Sequence, residues 1–174
     1  QMSVAAVIVA GGSGFRAGGE LPKQYQLIGG KPMIWYTLRA FLNHPGIARV
    51  LTVISPEHRN LFDEATQDLG ELEIVHGGNT RQDSCRAGII ACSGGSCEKI
   101  LIHDAARPFV SEDLISHIIA ELDRSEAVIP GLPVADTMKY APGGLIERTV
   151  DRTGVWSVQT PQGCVLKTIH HAHE

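Results

Sequence analysis

Two cationic side chains, Arg16 and Lys23, accompany a run of glycines, Gly11, Gly12, Gly14, Gly18 and Gly19, directly after the apolar stretch Val4 to Ala10. Glycine lets backbone N–H groups turn toward a bound anion with no Cβ in the way, and the two cations add fixed positive charge to the same loop. That chemistry suits a triphosphate. A second cluster, Gly77-Gly78-Asn79-Thr80-Arg81-Gln82-Asp83-Ser84, precedes a helix. Its free N–H groups, with the side chains of Asn79 and Ser84, are suited to a base edge or a phosphate. A third, His103-Asp104-Ala105-Ala106-Arg107-Pro108, closes a buried strand with an aspartate beside cationic loops. Mg²⁺ commonly takes one or two carboxylates in this way, together with substrate phosphates, which makes Asp104 the metal candidate. Each cluster also has a plainer reading. The first is a glycine turn whose Arg and Lys are merely solvated, the second a cap at Asn79 with Arg81 in water, and the third an Asp104–Arg107 pair that holds a loop.

Two familiar glycine motifs fit the first loop poorly. Gly12-Ser13-Gly14-Phe15-Arg16-Ala17 matches the dinucleotide fingerprint G-x-G-x-x-[GA], which requires a helix at that point and an acidic residue about 20 positions later. Gly18, Gly19 and Pro22 oppose a helix there, and the next strand ends too late, in Ser55-Pro56. The P-loop pattern G-x-x-x-x-G-K-[ST] is absent.

The elements that must position these clusters alternate along the chain. Val4 to Ala10 reads as a buried strand, and Met33 to Leu42 as a helix entered at Lys31-Pro32, with Ile34, Leu38, Phe41 and Leu42 in helical spacing. Ala48 to Ile54 is predicted as a strand, Pro56 to Leu69 as a helix, Leu72 to Val75 as a strand and Thr80 to Ala91 as a helix. Lys99 to His103 follows as a strand, Ser111 to Leu122 as a helix with Ser111 at its N-cap, and Ala127 to Ile129 as a fifth strand. Strict alternation of this kind predicts an α/β fold with a parallel sheet, in which ligands bind beyond the carboxyl ends of the strands. From Pro133 the texture changes to short runs, Met138 to Tyr140, Leu145 to Glu147 and Val155 to Gln159, divided by Pro142-Gly143-Gly144 and Thr153-Gly154. These predict a β arm over about residues 134–157 that folds over its own site or pairs with a second copy, because exposed strand edges need partners. Val165 to Glu174 reads as a helix.

Composition bounds the partners. The chain of 174 residues is 43% hydrophobic with a net charge of −4, which predicts one domain over 1–174 with a real core and no general attraction to nucleic acid or acidic membranes. Four cysteines without a C-x-x-C pair, and no apolar run of membrane-spanning length, predict a reduced cytoplasmic protein. The histidines show neither H-x-x-x-H nor Cys/His spacing, so a structural zinc site is not expected.

Taken in order, these blocks resemble the 2-C-methyl-D-erythritol 4-phosphate cytidylyltransferases of the non-mevalonate isoprenoid pathway. The resemblance rests on the glycine loop with Arg16 and Pro22-Lys23-Gln24-Tyr25, on Gly77-Gly78 with Arg81 and Ser84, and on His103-Asp104-Ala105-Ala106-Arg107-Pro108. It continues through Asp136-Thr137-Met138-Lys139, Thr149-Val150-Asp151-Arg152 and Gln159-Thr160-Pro161-Gln162. It implies a Rossmann-like nucleotidyltransferase that uses CTP, 2-C-methyl-D-erythritol 4-phosphate and Mg²⁺, and that dimerises through the β arm. Arg16 and Lys23 would be the catalytic cations. The backbone of Ala10, Gly11, Gly12 and Gly14, with Gly78, Asn79 and Ser84, would hold the nucleotide, and Asp104 and Ala105 would lie near ribose and metal. Arg107, Thr137 and Arg152 would hold the methylerythritol phosphate, the last two from the neighbouring subunit. Position 79 departs from the family pattern, in which Asp is also common. The resemblance further implies that the chain ends before the family's last segment, which carries another substrate-binding threonine and lysine, and that some relatives fuse this domain to a cyclodiphosphate synthase. Three other classes share parts of the pattern: another sugar- or alditol-phosphate nucleotidyltransferase, an NAD-dependent oxidoreductase, and a non-catalytic nucleotide-binding module. CTP turnover separates them.

Overall fold

The computed structural model describes residues 3–12 and 21–172; Gly14 and Arg16 lie outside the described residues. In chain order come β1 (Val4–Ala10), β2 (Leu27–Ile28), β3 (Lys31–Pro32), α1 (Met33–Leu42), β4 (Arg49–Ile54), α2 (Arg59–Thr66), β5 (Glu73–His76) and α3 (Arg81–Ser93). Then follow β6 (Lys99–Asp104), α4 (Glu112–Glu121), β7 (Ala127–Val128), β8 (Gly131–Pro133), β9 (Met138–Tyr140), β10 (Arg148–Val150), β11 (Trp156–Val158), β12 (Gln162–Val165) and α5 (Leu166–Ala172).

β1 is buried on both faces, and its alternation sorts the core into two layers. Val4, Ala6, Ile8 and Ala10 face α1, α2 and α4 through Ile34, Leu38, Phe41, Phe62, Ile115 and Ile118. Ala5, Val7 and Val9 face α3 and α5 through Cys85, Ile89, Cys92 and Leu166. Each fully buried Leu, Ile or Phe of this kind contributes about 1.5–3 kcal/mol relative to exposure. The main sheet runs β5-β4-β1-β6-β12-β7. β4 and β6 both pair in parallel with β1, and β5 in parallel with β4. The chain thus winds from β1 outward on one side, then returns to place β6 on the other, so the strand order reverses beside β1. Ser111 caps α4 by accepting from the Leu114 N–H at 3.2 Å, as its position predicts. At the other end of α4, the buried Lys99 ammonium meets Asp123 at 2.5 Å and the Ile119 carbonyl at 3.2 Å, a cation at the negative end of the helix dipole.

The parallel-sheet expectation holds for all five strands, β7 included, and one strand that was not expected, β12, is inserted antiparallel among them. Ala127–Val128 is not β6's neighbour; β12 lies between them, antiparallel to both. Gln162-Gly163-Cys164-Val165 carries no apolar alternation, and pairing alone makes it a strand. Gly163 suits the place, because a Cβ there would stand 2.6 Å from Ile118 Cγ2 and 2.9 Å from Leu122 Cδ1. Helix α5 accordingly starts at Leu166 rather than Val165. Within the arm, the strand expected at Leu145 to Glu147 lies three residues later. Gly143 and Gly144 take φ of 71° and 86°, and this wide turn delays re-pairing until Arg148 meets Tyr140. β11 pairs with β8, a strand that Pro133 disguises. The hairpin β2–β3 turns through Gly29 and Gly30, both at positive φ. The long helix expected from Pro56 to Leu69 divides into a 3₁₀ turn, Pro56–His58, and α2.

Helix α3 seats on the sheet through Gly88, where a Cβ would stand 2.5 Å from Val7 Cγ1 and 3.1 Å from Val53 Cγ2. Gly88→Ala should therefore destabilise by about 1–3 kcal/mol through overpacking, measured by urea unfolding. A loss under about 0.5 kcal/mol would show that α3 has room to shift.

Candidate active site

The parallel strands deliver their carboxyl ends to one edge of the sheet, and the three sequence clusters meet there. β1 ends in Gly11 and Gly12, β5 in Gly77 to Thr80, and β6 in Asp104 to Arg107. β12 runs the opposite way, so its entry residues, Gln159 and Thr160, come to the same edge.

The first two clusters interlock through a serine. Ser84, in the first turn of α3, is 1% exposed and donates its hydroxyl to the Thr80 carbonyl at 3.1 Å. A Cβ on Gly11 would come within 2.6 Å of its Oγ and one on Gly77 within 2.5 Å, so both loops pass over Ser84 without side chains. The cap of α3 is Thr80, not Asn79. The Thr80 hydroxyl accepts from the Asp83 N–H at 3.1 Å, and the Asp83 carboxylate accepts from the Thr80 N–H at 3.0 Å, a reciprocal capping box. The Thr80 hydroxyl, 2.8 Å from Asp83 Oδ2, and the Thr80 N–H together hold the Asp83 carboxyl below its ordinary range. Asn79 and Gly78 are exposed at the edge.

Arg81 is paired with Asp104 rather than left to water alone. Its Nε and Nη2 donate to Asp104 Oδ1 at 3.0 and 2.9 Å, while Arg107 Nε donates to Asp104 Oδ2 at 3.3 Å and its Nη1 to Gln159 Oε1. The Asp104–Arg107 pair anticipated as the plainer reading is thus present, with a second guanidinium added. With Arg81 and Arg107 about half exposed, such pairs are worth about 0–1 kcal/mol each. Their effect is to aim charge.

The loop after β6 hangs on buried neutral groups. The Thr37 hydroxyl of α1 donates to the Ala105 carbonyl at 2.8 Å, and the Ala105 N–H donates to Val9 at 3.0 Å. His103 is 1% exposed. Its Nε2 lies 2.9 Å from the Arg107 carbonyl and its Nδ1 2.9 Å from Thr160 Oγ1. A carbonyl only accepts, so Nε2 carries the proton and Thr160 donates to Nδ1. Burial holds this imidazole below its ordinary pKa, which keeps it in that neutral form. The Asp104 N–H completes the chain toward Thr160 Oγ1 at 3.4 Å. Gln24 braces the glycine loop in the same manner, donating its carboxamide to the Ala10 and Gly12 carbonyls at 2.9 and 3.0 Å. Gln24, His103 and Thr160 stand inside motif blocks that the sequence displays, yet spacing assigns none of them a role. Thr37, in mid-helix, gives no signal at all.

Lys23 opens a 3₁₀ turn, Lys23–Tyr25, and is exposed. Thr137 and Arg152 are exposed on the arm; among the described residues, no side-chain hydrogen bond joins either to Asp104 or Arg107. No group of three or more His, Cys, Asp or Glu suited to a metal occurs among the described residues; Asp104 is the carboxylate at the end of β6. A hollow of about 690 Å³ lined by Ser93, Cys97, Val165, Leu166 and Lys167 lies elsewhere, at the amino end of β6. No helix of the described residues is long and apolar enough to cross a membrane.

Comparison with known proteins bears on the same elements. A family model described as IspD, 2-C-methyl-D-erythritol 4-phosphate cytidylyltransferase, matches residues 4–174. The chain is 48% identical over 171 residues to the bifunctional enzyme IspD/IspF of Rhodospirillum rubrum, a match that covers 98% of this chain and 44% of the relative. It is 42% identical over 174 residues to the 2-C-methyl-D-erythritol 4-phosphate cytidylyltransferase of Cereibacter sphaeroides, covering 99% and 77%. The crystal structure of the cytidylyltransferase from Thermus thermophilus superposes with a TM-score of 0.78 at 33% identity, covering 99% of this chain and 75% of that one. The chain thus spans less than half the length of the bifunctional relative and about three quarters of the Cereibacter one. With the switch-point fold, the glycine loop over Ser84 and the Asp104 edge all falling within the matched span, the chain belongs to the IspD family, 2-C-methyl-D-erythritol 4-phosphate cytidylyltransferase.

Proposed function

We propose that this chain transfers CMP from CTP to 2-C-methyl-D-erythritol 4-phosphate with release of pyrophosphate, a step in isoprenoid precursor synthesis in the cytoplasm. The observation that carries the reading is the family match over residues 4–174, and the convergence of glycine loops, Arg81, Asp104 and Arg107 on one sheet edge supports it.

In this reading a phosphate oxygen of the polyol attacks the α-phosphorus of CTP in line. The new P–O bond forms as the bond to the bridging oxygen breaks, and pyrophosphate leaves with that electron pair. The attacking oxygen is already ionised at neutral pH, so no general base is required. The protein positions the two anions and neutralises charge developing on the non-bridging oxygens. Lys23, exposed beside the glycine loop, supplies a mobile point charge. Arg16, placed by the resemblance and outside the described residues, supplies a fork of donors. Backbone N–H groups of Gly11 and Gly12, with Gly78 and Asn79, take the nucleotide, and Ser84 supports both loops from beneath. Ala105 lies at the ribose. Arg107 takes the polyol phosphate, its aim set by Asp104 and Gln159.

A divalent ion fits at Asp104 once the carboxylate releases Arg81 or Arg107, the two guanidinium groups that hold its oxygens. Magnesium usually combines one or two carboxylates with substrate phosphates, and this carboxylate stands at a strand end with its side chain 29% exposed. Mg²⁺, when bound, would neutralise the triphosphate there, with Asp104 as its protein ligand.

The dimer belongs to the same reading. The arm exposes Leu132, Leu145, Ile146, Trp156 and Val158, each more than half accessible, on two-stranded ribbons whose free edges invite pairing. A second copy would cover them and bring Thr137 and Arg152 to its neighbour's site.

Pyrophosphate release, measured with each nucleotide against a panel of polyol phosphates, tests the activity. CTP with methylerythritol phosphate should give the highest kcat/KM, and a preference for another pair would reassign the substrate. Lys23→Ala should lower kcat by about 10²-fold or more with the fold intact, whereas a near-normal kcat would remove Lys23 from the chemistry. Mixing inactive Arg152→Ala and Lys23→Ala proteins should restore part of the activity, because one hybrid site is then whole. No recovery in a verified mixed dimer would show that each subunit builds its site alone.

A further inference from the structure

Gln24 is polar, 5% exposed, and buried directly beneath the glycine loop. Its carboxamide nitrogen donates both hydrogens to that loop, one to the Ala10 carbonyl at 2.9 Å and one to the Gly12 carbonyl at 3.0 Å. The peptide unit is planar and trans, so the N–H of Gly11 points opposite to the Ala10 carbonyl. Drawing that carbonyl down onto a buried amide therefore turns the Gly11 N–H away from the core. Gly11 has no Cβ, which would meet Ser84 Oγ at 2.6 Å, so its peptide can lie down on the core, and Gly12 is exposed with nothing within 4 Å of an added Cβ. Unaided, a glycine loop samples many peptide orientations, and fixing them costs conformational entropy. Gln24 meets that cost before any ligand arrives.

The same residue ties the loop to the neighbouring cation. Lys23 and Gln24 share one 3₁₀ turn, closed by Tyr25 N–H to Pro22 at 2.9 Å and Gln26 N–H to Lys23 at 3.1 Å. A side chain that grips the loop from this turn also fixes the Lys23 backbone against the loop. The place calls for a neutral group with two donors: leucine or methionine would leave two carbonyls without donors, and glutamate would set anionic oxygens against them.

We propose that Gln24 is a positioning residue for the nucleotide. It orients the β1 loop so that its N–H groups face the CTP phosphates or base, and it holds Lys23 in register with them. The proposal rests on the cytidylyltransferase reading, which supplies the identity of the ligand, and the test separates the two.

The dissociation constant for CTP is measured by calorimetry for the wild-type chain, Gln24→Glu and Gln24→Met, each checked for native circular dichroism. Both variants should bind CTP at least about tenfold more weakly, while KM for the polyol phosphate at saturating CTP stays within about twofold. Unchanged CTP affinity in either folded variant overturns the proposal, and so does an equal loss for both substrates, which would mean general distortion. In the wild type, the Gly11 amide resonance should move on CTP addition. A Gly11 amide indifferent to saturating CTP overturns the proposal even if neither variant folds. A wild-type chain that binds no CTP overturns the cytidylyltransferase reading and this inference with it, whereas wild-type binding matched by the variants overturns this inference alone.

Discussion

The burial of β1 on both faces is the constraint from which the site follows. All seven of its residues are inside, and parallel partners on either side take up its backbone groups. A strand so enclosed has one place to meet solvent, its carboxyl end. There the alternation of Val, Ile and Ala gives way to glycine, and the backbone polar groups that no strand can claim become available. Because β4 and β6 leave β1 in opposite senses, their loops diverge and open a crevice at that point.

The supports of the crevice divide into two kinds. Buried neutral groups, Gln24, Thr37, His103 and Thr160, hold backbone carbonyls or one another at 2.8–3.0 Å. A bond of this sort contributes about 1 kcal/mol when made, and leaving a partner unmet costs about 1–3 kcal/mol, so each fixes one backbone geometry. The charges Arg81, Asp104 and Arg107 stand on that frame nearer to water. Ion pairs there are weak enough to exchange partners when an anionic ligand enters. Rigid neutral groups below and exchangeable charges above form a division of labour suited to phosphate chemistry.

Much of this was legible in the sequence, for identifiable reasons. β1, α1, β4, α3, β6 and α4 were readable because both their period and their boundary signals are local: apolar alternation ending in glycine, proline before α1, Ser111 before α4. β12 was not, because Gly163 and its neighbours become a strand only through partners distant in sequence. The β10 boundary slipped because a turn with two positive-φ glycines uses more residues than the apolar pattern suggests. The charged members of the site were visible by type and position. Their neutral supports were not, since a threonine in mid-helix or a glutamine after a lysine carries no mark until the fold shows which carbonyl lies above it.

The antiparallel seat of β12 bears on the order in which the molecule assembles. β1, β4, β5 and β6 follow one another through helical crossovers, and each can dock soon after it is made. β12 must wait for the whole arm, and the contact it brings, Thr160 to His103, spans 57 positions in sequence. Loop length does not set this order, since the β1–β6 pairing from Val4 to Lys99 spans more of the chain; position does, because β12 is the last strand to be made. The sheet is therefore largely complete before the loop carrying Arg107 acquires its brace, and the edge where chemistry would occur is the last part of the domain to set. In the reverse direction β7 is the exposed edge, held to β12 by only two paired positions against the four that join β12 to β6, so fraying at that edge begins one strand away from the brace.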